Sequence, residues 1–182
     1  MNYPFILKFS SITHLTDARY AAGMWADFVG FCFNPNSENF IEPQKAKQII
    51  DWINGPIVVG EFNHQPKDWI ADFVNELGLK AIQLPANYDD LSVSDLDVKI
   101  ILEILDPLLD MPLLSKAHLV LVHSDEAYQF MKSRTELPII VKAFDGINCE
   151  SYEGIELEGE KEIAIGFRDH DKWNKILEPY TN

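Results

Sequence analysis

Several side chains able to move protons or attack carbonyl carbon close short apolar runs. His123 follows Val120-Leu121-Val122, and imidazole can donate or accept a proton near neutrality. A hydrogen-bonded rim histidine is the plainer reading of the same position. Lys142 follows Ile139-Ile140-Val141; a desolvated lysine there could form a Schiff base. Buried charges require partners, so an internal ion pair of Lys142 with Glu61 or Glu103, both written into apolar strands, is the favoured expectation. Lys8 stands two residues before Ser10, points the same way along a strand, and is expected to join that network. Ser10 alone is a weak base and reads as a small polar residue at a strand end. Cys32 lies in the aromatic run Phe28–Phe33 and reads as an inert buried thiol. His14 and His64 also follow strand ends. No His-x-His or His-Glu-x-x-His spacing is present, so neither a metal nor another cofactor is expected. The charged stretch 156–162 lacks the Asp-x-Asp-x-Asp-Gly pattern of a calcium loop and reads as a solvated turn.

Alternating apolar runs and amphipathic stretches must position these groups. That rhythm is the βαβ pattern of a parallel sheet. Strands are predicted over 4–9, 27–33, 56–62, 81–84, 98–105, 118–123, 138–144 and 153–157. Helices are predicted over 16–22, capped by Thr13 or Thr16, and over 43–53, 67–77, 126–134 and 172–177. Gly78 is placed to end the third of the helices. Trp25, Trp52, Trp69 and Trp173 are expected to pack against the sheet.

The 182 residues are one domain's worth, spanning 1–182, and can bury a sizeable core. A net charge of -14 argues against nucleic-acid and anionic-membrane partners, but not against a small anionic ligand in a locally different pocket. No apolar run approaches the roughly 20 residues that span a bilayer. Tyr3-Pro4-Phe5-Ile6-Leu7 runs straight into Lys8 and reads as a strand rather than a signal peptide, which makes the cytoplasm the default location. The two cysteines read as free and reduced.

The order of partial motifs resembles the phosphoribosylanthranilate isomerase family. They are Lys8-Phe9-Ser10-Ser11-Ile12-Thr13 with Thr16-Asp17-Ala18, then Phe31-Cys32-Phe33-Asn34-Pro35-Asn36-Ser37, Val58-Val59-Gly60-Glu61-Phe62, and Leu77-Gly78-Leu79-Lys80-Ala81-Ile82-Gln83-Leu84. Gly154-Ile155-Glu156-Leu157 and Gly166-Phe167-Arg168-Asp169 keep the family's spacing near the other end. The resemblance implies a (β/α)8 barrel, with its site at the C-terminal ends of the strands. Such barrels typically take about 200 residues or more. One or two helices of the C-terminal half are therefore expected to be shortened or lost, most plainly between the seventh and eighth strands. Sheet surface laid bare by that loss would leave a homodimer open.

The resemblance also marks departures. Ser10 falls where the family places its catalytic cysteine base, and His123 falls where it places its aspartic acid. Asn36 and Asn39 replace its substrate-binding lysine and arginine. Lys8, Asn36, Asn39, Lys142 and Glu158 are the ligand-binding candidates. Ala143-Phe144 and Glu158-Gly159-Glu160 stand where the family binds phosphate; Phe144 would obstruct the approach and two carboxylates would repel the ligand. At about 4 Å and an effective dielectric near 20, each such contact opposes binding by roughly 4 kcal/mol. The expectation is a barrel that has lost the family's Amadori rearrangement and keeps a small-ligand or interaction role. One alternative is an active isomerase with His123 as acid and His14 or Cys32 as base; another is a different enzyme built on Lys142.

Overall fold

Strands apolar on both faces need cover on both, and these runs obtain it by closing on themselves. The computed structural model of the chain describes residues 3–106, 110–159 and 170–181. Its strands pair in parallel, each with the next in chain order, and the last returns to the first to close an eight-stranded barrel. They are β1 Ile6–Ser10, β2 Phe28–Cys32, β3 Ile57–Glu61, β4 Ala81–Pro85, β5 Lys99–Ile104, β6 Leu119–Val122, β7 Ile139–Lys142 and β8 Gly154–Glu158. Each predicted strand is present, generally with its ends trimmed by a residue or two.

The helices are α1 Leu15–Gly23, α2 Pro43–Ile50, α3 Lys67–Leu77, α4 Asp125–Lys132 and α5 Asp171–Leu177. The bounds of α3 are those predicted, and Gly78 ends it in the left-handed conformation (φ 63°, ψ 36°) that glycine adopts without strain. Ser124 caps α4, its hydroxyl oxygen accepting from the Ala127 amide at 3.2 Å. Neither predicted threonine caps α1; extended His14 occupies the cap position and makes no side-chain cap bond. Among the described residues, the connections after β5 and β7 carry one 3-10 turn each, Leu114–Lys116 and Cys149–Ser151. The connection after β4 is reduced in the same way, to Leu91–Asp95.

These short connections nevertheless cover the sheet. Tyr88, Val93, Leu113 and Cys149 are buried in the outer core, as are Ile100, Leu102, Ile104, Val141, Ile155 and Leu157 on the outer faces of the strands. The bare sheet that would have called for a second copy is therefore not present among the described residues. Trp173 is buried and Trp69 packs on Phe62 and Phe73, but Trp25 and Trp52 stand 66% and 71% exposed. Both follow the last turn of a helix. Among the described residues no helix is long and apolar enough to cross a membrane.

The barrel interior is divided along its axis. Phe28, Val59, Ala81, Ile101, Leu119, Leu121 and Ile140 form a closed apolar cluster. Two residues further along several strands the alternation brings polar side chains inward: Glu61 after Val59, Gln83 after Ala81, Glu103 after Ile101 and Lys142 after Ile140. The period of two thus makes an apolar plug beneath and a polar layer above, at the strands' C-terminal ends.

Candidate active site

The polar layer has a charged floor. Lys8 is fully buried, and its Nζ donates to Glu61 Oε1 at 2.8 Å and to Glu156 Oε2 at 2.5 Å. Burial alone would lower the lysine pKa, but the Glu156 and Glu61 carboxylates outweigh it and hold Lys8 protonated. One ammonium between two carboxylates leaves a negative charge uncompensated. Burial, reinforced by Glu156, accordingly pushes Glu61 above the ordinary carboxylate range despite Lys8. The other oxygen of Glu61, Oε2, accepts from the Ser11 amide at 2.9 Å. Ser11 has φ 56°, a conformation that L residues rarely adopt, and this bond helps to hold it. Space for Glu61 comes from Gly30 on β2, where a Cβ would lie 1.9 Å from Glu61 Oε1.

Above the floor opens a cavity of about 240 Å³. Its chemistry comes from Ser10, Cys32, Gln83, Glu103, Lys142 and Glu158, with Glu61 and Glu156 reaching it from below. Glu103 Oε1 meets His123 Nε2 at 2.8 Å, and Glu103 Oε2 accepts from Gln83 Nε2 at 3.1 Å. Burial alone would raise Glu103; the hydrogen bond and charge of His123, with help from Gln83 and Lys8, bring it below the usual carboxylate range. Gln83 is 6% exposed, and its Oε1 is buried without a partner among the described residues. A carbonyl left so is unfavourable by about 1–3 kcal/mol.

Several expectations are corrected here. Lys142 pairs with Glu158 (2.7 Å) rather than with Glu61 or Glu103, because its neighbour across the barrel seam is β8. Burial would lower the Lys142 pKa, but the Glu158 hydrogen bond and charge raise it, so its amine is held protonated. The Glu158 carboxylate is correspondingly neutralised in part, which weakens the repulsion expected of it; Glu160 and residues 161–169 lie outside the described residues. Glu156 belongs to the buried floor and not to a solvated turn. Asn36 is exposed and Asn39 half-buried, and neither lines the cavity: the loop curls on itself, the Asn36 amide donating to Asn34 Oδ1 and the Asn39 amide to Ser37 Oγ. Asn34 and Ser37 line the cavity instead. Phe144 is 42% exposed and outside the lining. Cys32 is buried as expected yet faces the cavity, its pKa raised by burial against the lowering effect of Ser37 and Asn34. His14 and His64 are not among the lining residues; His64 stacks on Tyr88 instead.

Sequence reasoning missed Gln83 and Glu156 as site residues. Each is a lone polar residue inside an apolar strand, Ala81-Ile82-Gln83-Leu84 and Ile155-Glu156-Leu157, and that isolation was the available signal. Ser10 lies at the cavity and His123 is joined to it through Glu103, so the two chemically suspect positions do share one mouth.

No protein-family model matches the chain. Over 85 residues it is 35% identical to the N-(5'-phosphoribosyl)anthranilate isomerase of Desulfitobacterium hafniense, a match covering 46% of this chain and 35% of that protein. Against the protein of the same name from a Sulfurovum species it is 34% identical over 100 residues, which cover 55% of this chain and 45% of that one. The matches thus span less than half the length of these curated relatives. The solved phosphoribosyl anthranilate isomerase of Thermus thermophilus superposes with a TM-score of 0.76 at 21% identity, covering 96% of this chain and 97% of that one, and so shares the fold.

Proposed function

We propose that the chain, which belongs to the phosphoribosylanthranilate isomerase family, works as an acid–base isomerase at the mouth of its barrel, with His123 moving the proton. The observation that carries this reading is the His123–Glu103 contact, 2.8 Å long, with Glu103 lining the cavity; the resemblance puts His123 where the family has its acid. A carboxylate there orients the imidazole, and an imidazole so held is a group able to deliver a proton to a ring oxygen. The names of the curated relatives support isomerase chemistry over the loss of activity expected from the substituted residues. Of the candidate bases, Cys32 is the better placed because it lines the cavity and His14 does not.

The second reading, a barrel that no longer performs the Amadori rearrangement, keeps a specific support. Ser10 offers only a hydroxyl at the base position, and the raised pKa of Cys32 keeps its thiol protonated near neutrality. A lysine-based enzyme is the least supported, since Glu158 holds Lys142 in its unreactive protonated form. Complementation of a strain lacking the isomerase separates the first two. Growth that is lost with His123→Asn and with Cys32→Ser supports the first reading; no growth with the soluble, folded wild-type chain establishes the second.

A further inference from the structure

Opposite the mouth, at the N-terminal ends of β1, β2 and β8, lies a second cavity of about 420 Å³, walled by Tyr3, Phe5 and Trp25 together with Asp27 and Glu153. Among the described residues no lysine or arginine lines it. Trp25 ends α1 in the paired bonds of a Schellman motif: its amide donates to the Ala22 carbonyl and the Ala26 amide to the Ala21 carbonyl, both at 3.1 Å. That geometry gives Trp25 a φ of 58°, at the position where glycine is the usual residue, and a bulky side chain there is strained. Burial does not offset the strain: Trp25 is largely exposed, and its indole meets no other ring among the described residues. Asp27 is exposed too, yet fixed in place, since its Oδ2 accepts from the Leu7 amide at 2.8 Å and its own amide donates to the Leu7 carbonyl at 2.8 Å. No cationic side chain pairs with it among the described residues, whereas Glu153 is taken by Lys132 at 2.6 Å. Tyr3 stacks on Phe5 with centroids 5.2 Å apart, which sets the remaining wall.

We infer that this cavity binds a small organic cation, a methylated ammonium held against Trp25 and Tyr3 and countered by Asp27. Aromatic faces attract a cation through their quadrupole, tryptophan most strongly, and the methyl groups on the nitrogen bury apolar surface against the same rings. The volume lies within the roughly 300–1,000 Å³ of small-molecule pockets, and the net charge of -14 draws cations towards the chain. The strain at Trp25 then has a use: an indole kept exposed where glycine would be more stable serves a contact from outside the chain. None of these residues belongs to the mouth, so the inference stands apart from the isomerase reading.

Calorimetric titration of the full chain with choline and with 3,3-dimethyl-1-butanol, its uncharged isostere, tests this. Choline should bind about tenfold more tightly than the isostere, the effect of one cation–π contact with its countercharge. Trp25→Gly should weaken choline about tenfold and at the same time raise the melting temperature, because it relieves the left-handed strain. Trp25→Phe, which keeps a ring, should bind between the two. Asp27→Asn, which keeps an acceptor for the Leu7 amide, should weaken choline and leave the isostere unchanged. Equal affinity for the two compounds, or no choline binding at millimolar concentration, overturns the inference. Choline binding indifferent to Trp25→Gly and Asp27→Asn would place the cation elsewhere, at the acidic mouth, and overturns it equally. A lower melting temperature for Trp25→Gly would show that the indole is kept for packing. A wild-type dimer in sedimentation that Trp25→Gly dissolves would show that a second copy covers the cavity; either result refutes the assignment.

Discussion

Replacing Lys8 by methionine removes the ammonium that bridges Glu61 and Glu156 while roughly preserving side-chain volume. Lys8 has no exposed side-chain surface, and Glu61 and Glu156 keep only 8% and 4%, so water cannot take over the lost contacts. Stripping one partner from a buried ionic group destabilises by about 3–5 kcal/mol, a large share of the roughly 5–15 kcal/mol that holds a domain folded. The loss should depend on pH. In the variant the orphaned Glu61 is held further above the ordinary 4.5, the direction that burial and Glu156 already impose on it. A raised pKa contributes stability that is full below the unfolded value and drains away as pH rises through the folded value. The variant should therefore lose less stability at about pH 5 than at about pH 8. Urea unfolding at the two pH values measures this, provided the slope with denaturant is unchanged. Adding Glu61→Gln and Glu156→Gln to Lys8→Met should restore most of the loss at the higher pH. A deficit below about 1 kcal/mol at both pH values, or one that shrinks as pH rises, would refute the account of the floor as a charge-deficient buried triad.

Gly30→Ala would place a methyl group within bonding distance of Glu61 Oε1 and must displace that carboxylate; a loss of about 1–3 kcal/mol is expected by thermal melting, and an unchanged melting temperature would contradict the packing. His123→Ala removes the leading contribution that lowers Glu103, so NMR titration should find that carboxylate titrating at higher pH than in wild type; no movement would show that His123 does not govern it. Borohydride treatment with a carbonyl probe should leave Lys142 unmodified at neutral pH, since Glu158 keeps its amine protonated; an adduct that disappears in Lys142→Met would reverse that reading.

The barrel was legible in the sequence because its determinants are local. A short, valine-rich apolar run such as Leu119–Val122 reads as a covered strand, and a stretch such as Lys67–Leu77 closed by Gly78 carries both its periodicity and its stop signal. The partners of charged groups were not local. Glu61 was correctly read as a buried strand carboxylate with a lysine partner, but which lysine depends on neighbours across the barrel: the register sets both Lys8 and Lys142 beside Glu156 of β8, Lys8 bonds to it, and Lys142 reaches Glu158 two residues further along. Asn36 and Asn39 were carried over by alignment alone, and a loop that bonds to itself turned them away from the cavity. Trp25 and Trp52 failed for a related reason: hydrophobicity states what a side chain favours, not whether the turn that follows its helix leaves it exposed.

The charged floor is weak as a source of stability. A buried ion pair scarcely exceeds well-packed apolar groups of similar volume, and the plug directly beneath it shows that this chain can fill the same barrel with Val59, Ile101 and Ile140. What the floor does supply is position. Glu61 ties Lys8 below to Ser11 above, fixing the left-handed turn that follows Ser10, and Gly30 is the residue that leaves room for it. On the far side Glu103 holds both Gln83 and His123, which settles the direction of the amide oxygen and the placement of the imidazole. Two carboxylates thus orient the groups a ligand would meet, and they do so by drawing the available donors downward or sideways.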